Sequence, residues 1–85
     1  MEPQDVQQPQ QEAPSFGMKA VGISFNPSGD PAVNQVKSLY ASVIDNLNGL
    51  RNSTTDPEIK RLCSVAITEA QGAQMWAVKA ITWKS

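Results

Sequence analysis

Apolar residues recur at alternating intervals of three and four along two stretches of this chain, and both stretches open on the same punctuation. Val33, Val36, Tyr40, Val43, Leu47 and Leu50 form one series, widened by Leu39 and Ile44. Ile59, Cys63, Ala66, Ala70, Ala73, Ala77 and Ala80 form the other. That spacing predicts a helix with a packed stripe in each case. Asp30-Pro31 and Asp56-Pro57 each set a capping acid before a proline at the first helical position, where the missing N–H costs nothing. The predicted helices run over about 31–50 and 57–83, with Asn48-Gly49 and the run Asn52 to Thr55 marking the end of the first and the connection. So short a link makes them an antiparallel hairpin. Met18 to Phe25, with its branched and aromatic residues, reads as a short extended piece lying on the helices.

The second helix is too apolar for half of a lone hairpin. Leu62, Val65, Trp76 and Trp83 flank its small-residue stripe, and Met75, Val78 and Ile81 lie elsewhere around it. A surface helix keeps one face polar, so this one is expected to be covered on several sides, which one short partner cannot do. The expected fold is therefore all-α: an antiparallel two-helix hairpin, residues 19–85, assembling into a homo-oligomer behind a disordered Gln/Pro-rich arm, residues 1–18.

Composition narrows the function. The arm has too few apolar groups to order itself. It has neither the basic nor the apolar region of a signal peptide, and no stretch of the chain is long enough to span a membrane. The remaining chain of roughly 60 residues lies where a single core gives marginal stability without staples. One cysteine and no histidine exclude an intramolecular disulfide and a structural zinc site. Oligomerisation is the remaining staple, and the expectation is an intracellular, soluble assembly. The net charge is −1, but from Lys19 onward seven basic residues face five acidic ones. A balance of +2 there is far too weak for duplex nucleic acid, and enough for a pocket holding one or two phosphates.

No catalytic arrangement is written in the chain. Cys63 sits on the stripe without a basic neighbour, as an inert buried thiol does. Asp30, Asp56 and Glu58 are explained by helix N-termini. No enzyme activity, cofactor or metal is expected. The turn SFNPSGDP has two readings. Phe25, Asn26 and Ser28 stand before a helix start, which favours anions; the commoner reading of such a turn is a capped helix start with Phe25 as a hydrophobic staple. Lys37 lies one position off the first stripe and Lys79 lies near Trp76 and Trp83. Either lysine can snorkel to water or hold a phosphate between subunits. Tyr40 and Trp76 are core aromatics by periodicity, or platforms for a base. The alternative function is a structural or protein-interaction hairpin whose second apolar face binds another protein.

The segments SFNPSGDPAVNQVKSLYASVIDNL and AITEAQGAQMWAVKAITW, the latter with its Thr68–Glu69, Met75–Trp76 and Lys79 spacing, resemble the phage anti-CBASS sponge family, which shares a helical-hairpin domain with anti-Thoeris sponges. The resemblance covers most of the chain beyond the arm and implies a viral anti-defence protein in the cytoplasm of the infected bacterium. Such proteins are homohexamers that sequester cyclic dinucleotides such as 3′,3′-cGAMP between protomers without cleaving them, blocking CBASS signalling; some also take cyclic trinucleotides at separate sites. The family grips its ligand with an aromatic near the start of the first long helix and a lysine on it. Carried over, these are Phe25, which lacks the hydroxyl of the family's tyrosine, and Lys37. Lys79 with Thr68 matches the position of a second site.

Overall fold

Local capping chemistry starts both long helices where the sequence places them. The computed structural model describes residues 13–85, which form α1 (Phe16–Val21), α2 (Pro31–Ser53) and α3 (Pro57–Thr82). What was expected of residues 1–12 lies outside this range. The Asp30 carboxylate accepts from the Ala32 N–H at 2.9 Å, and that of Asp56 from Glu58 N–H at the same distance. All regular structure among the described residues is helical, and α2 and α3 pack side by side across the link 54–56. No helix among these residues is long and apolar enough to cross a membrane. Asn48-Gly49 does not end α2, which continues to Ser53 before Thr54 caps it.

The first correction concerns Met18 to Phe25, which is not an extended piece. Its first half belongs to α1, whose first turn also takes in Phe16 and Gly17, residues assigned above to the arm. Six residues carry too little periodicity to announce a helix. The local signals are its ends: Ser15 accepts from the Met18 N–H, and Gly22 closes the helix in the left-handed region at φ 62°.

The buried stripes are the second correction. On α3 the buried positions are Cys63, Ile67 and Gln74, whereas Ile59, Ala73 and Ala80 are exposed. On α2 they are Val33, Lys37, Ala41 and Ile44, while Val43 and Leu50 face outward. A strict three-four alternation follows a 3.5-residue period, and a straight helix rotates away from it by about 20° per heptad. That drift accounts for only part of the offset, because the inner face lies about one residue from where the apolar pattern put it from the second turn of α2 onward. Lys37, expected beside the stripe, is within it.

Val21, Ala41, Ile44 and Ile67 form the core, with Ala20, Ile23, Tyr40, Leu47 and Ala70 packed around it. α1 sits against α2 at Gly17, where an added Cβ would stand 2.1 Å from the Ala41 carbonyl oxygen. The Gly17 N–H donates to the Asp45 carboxylate at 2.6 Å. Gln71 of α3 donates to the Ala20 carbonyl at 3.4 Å. At the other end of α1, Arg51 donates to Ser64 and Asn48 and lies 5.4 Å from the Phe16 ring centroid.

Outward-facing apolar groups remain on both long helices. Leu39, Val43 and Leu50 are exposed on α2, Leu62, Val65 and Trp76 on α3, and Trp83 at its C-cap, Trp76 to 72%. Val65 and Trp76 lie opposite the buried face of α3, and Leu62 flanks it. Trp76 and Trp83 are thus two large aromatic side chains left mostly exposed.

Candidate functional site

The turn between α1 and α2 folds over the open end of the hairpin, where α2 begins and α3 ends. Antiparallel packing sets Val33 and Lys37 of α2 beside Val78 and Thr82 of α3. Phe25, Asn26, Pro27 and Ser28 complete a cavity of about 240 Å³.

The turn is held by its own polar groups. The Asn26 amide donates to the Asp30 carbonyl at 2.9 Å and to the Asn34 side-chain oxygen at 3.1 Å. The Ser28 hydroxyl donates to the Asn26 oxygen at 2.6 Å and accepts from the Asp30 N–H at 3.1 Å. Asn26 and Ser28 line the cavity but spend their hydrogen bonds on its shape. The turn is a capped helix start, as one reading had it, with Asp30 accepting from the Ala32 N–H; Phe25, at 70% exposed, is too open to act as its hydrophobic staple. Its ring is an open apolar face at the cavity wall.

Lys37 is the unusual group. It is only 5% exposed. Its Nζ donates to the Gly22 carbonyl at 2.9 Å and to the Phe25 carbonyl, and lies 5.5 Å from the Phe25 ring centroid. No carboxylate among the described residues forms an ion pair with it. An ammonium has three N–H donors, so these carbonyls leave one over. A buried cation matched only by neutral oxygens is costly to desolvate, and an anion entering the cavity would offset that cost.

The other expected contact residues lie elsewhere on the protomer. Tyr40 packs partly against the core, beside Leu39 and Val43. Thr68 borders a shallow surface with Arg61, Ser64, Val65 and Glu69. Trp76 and Lys79 stand together near Met75, with the Lys79 ammonium 5.6 Å from the Trp76 ring centroid. The fold thus brings together Phe25, Asn26, Ser28 and Lys37, and leaves Tyr40, Thr68 and the Trp76–Lys79 pair away from them. Pro27, Val33, Val78 and Thr82 were missed. The last two become legible by counting back across the short turn from Val33.

Two groups weighed above as possible reactive residues have settled structural places. Glu58, an acid weighed above, is exposed and doubly hydrogen-bonded to Arg61, whose guanidinium holds its carboxyl below the usual glutamate value. A carboxyl so shifted stays ionised and is a poor proton donor near neutrality. Cys63 is buried as a packing thiol.

A family model described as "Acb2/Tad1, hairpin domain" matches residues 18–82, which takes in most of α1, all of α2 and α3 and every residue of the cavity. Searches of curated proteins and of solved structures return no match. The match agrees with the resemblance carried by the turn and by the end of α3. The chain belongs to the Acb2/Tad1 hairpin-domain family, the anti-CBASS and anti-Thoeris sponges, which bind small signalling molecules rather than turn them over.

Proposed function

We propose that this protein binds cyclic dinucleotides such as 3′,3′-cGAMP and sequesters them uncleaved, lowering the free messenger below the level that activates CBASS effectors. A phage protein acting in the cytoplasm of the infected bacterium fits that role. The observation that carries the reading is Lys37: a buried ammonium without a carboxylate partner among the described residues, lining a cavity beside an exposed aromatic ring. A cyclic dinucleotide supplies the missing anion through its phosphates and a flat face for Phe25 through its bases. Cyclic trinucleotides at the separate Thr68 and Trp76–Lys79 surfaces extend the reading to a second ligand class. The test is incubation with 3′,3′-cGAMP followed by calorimetry and heat release. Ligand at 100 times its dissociation constant should raise stability by about 2.7 kcal/mol, and the released nucleotide should have its original mass. Linear or monomeric products would refute sequestration.

Assembly is part of the proposal. A cavity of about 240 Å³ falls below the roughly 300–1,000 Å³ of small-molecule sites, so one protomer encloses only part of such a ligand. The outward apolar residues of α2 and α3 supply the area for neighbours, and a homohexamer is the arrangement proposed. Light scattering should give several times the 9.2 kDa of the chain. A monomer at micromolar concentration would favour the alternative, a hairpin whose exposed α3 face binds a different protein.

A further inference from the structure

α1 contributes no side chain to the cavity, yet the atoms that hold Lys37 hang from its end. Gly22 is the C-cap of α1, and its N–H donates to the Lys19 and Met18 carbonyls. Its carbonyl accepts both from Lys37 and from the Phe25 N–H, the latter at 2.9 Å. The Phe25 carbonyl is the second acceptor for Lys37. The ammonium is therefore fixed by a segment whose place depends on where α1 docks.

The docking is specified at the opposite end of α1. Gly17 is buried against the α2 backbone, with no room for a Cβ beside Ala41, and its N–H is taken by Asp45. Neither Gly17 nor Asp45 lines the cavity. We infer that Gly17 and Asp45 are positioning residues: by seating α1 on α2 they aim the Lys37 ammonium at the cavity, so α1 docking and anion binding are coupled. The second half of this inference rests on the sequestration reading, and the first does not. Linkage makes the coupling reciprocal, so an anion held by Lys37 tightens a helix it never touches.

The experiment uses the full chain with Gly17→Ala and, as a milder variant that removes only the acceptor, Asp45→Ala. Circular dichroism establishes that α2 and α3 remain folded. Acetylation of each lysine by acetic anhydride, read by peptide mass spectrometry, reports the seating of Lys37 with no ligand present. Lys37 should be protected in the parent protein and should label at least about fivefold faster in the variants, within the usual range of such couplings, while Lys79 stays unchanged. Unchanged Lys37 labelling in both folded variants overturns the inference whatever the ligand does. With 3′,3′-cGAMP as probe, the variants should bind at least about fivefold more weakly, and ligand should slow hydrogen exchange of the α1 amides in the parent. If the parent does not bind the probe, the sequestration reading fails and the labelling arm still decides the positioning role. Parent-like affinity in variants whose Lys37 is unprotected would overturn the coupling.

Discussion

Ile44→Ala is expected to lower the free energy of unfolding by about 2–5 kcal/mol, the range for emptying an enclosed aliphatic site. Ile44 is fully buried at the centre of the core, where α1, α2 and α3 meet through Val21, Ala41 and Ile67. A domain of this size draws only about 3–5 kcal/mol from a single core. The loss is therefore comparable to everything the protomer holds in reserve. Thermal melts should show it directly, at several concentrations because assembly would add stability by mass action. Ile44→Val, which removes one methylene, should cost about 0.5–1.5 kcal/mol. If Ile44→Ala melts within a few degrees of the parent, this side chain is not the centre of the core.

Lys37→Met is expected to weaken 3′,3′-cGAMP binding about tenfold to a hundredfold, the equivalent of one charge-assisted contact of about 1.5–3 kcal/mol. Methionine keeps an unbranched apolar stem in the buried site and removes the ammonium. Two opposed effects act on stability. The Gly22 and Phe25 carbonyls lose their donor, which destabilises the turn. A buried charge without an anionic partner among the described residues is also removed, which stabilises the fold. Melting should therefore move far less than affinity does, and that separation distinguishes a binding residue from a structural one. Unchanged affinity in a folded Lys37→Met protein would take this lysine out of the site.

Chain-local chemistry made much of this fold legible. The two Asp-Pro caps placed both long helices, because a cap is decided within four residues. Which face turns inward was not legible, and the reason is specific. α2 carries an outer series, Leu39, Val43 and Leu50, about as apolar as its buried one, and a lysine stands in the buried series. Pattern reading passes over a lysine, so it chose the stripe without one. α1 was hidden by its length, although Ser15 and Gly22 bracket it. The site was half visible. Phe25, Asn26 and Ser28 are adjacent in sequence and Lys37 is two turns into the next helix. Val78 and Thr82 arrive only through the antiparallel register.

One wall of the cavity is the final turn of α3, and the Thr82 hydroxyl donates to the Val78 carbonyl at 2.8 Å within it. Helix ends open locally at almost no free-energy cost, unlike the core strands and helices of a protein. The α3 wall therefore rests on the last hydrogen bonds of its helix, whereas on the α2 side Lys37 stands two turns into its helix. A ligand as bulky as a dinucleotide, only partly enclosed here, would bear on that turn without disturbing the core, and loosening of the turn would release it. Residence time would then be set by the stability of a single helical turn, and Thr82→Val, which keeps the shape and deletes that hydroxyl, should shorten it.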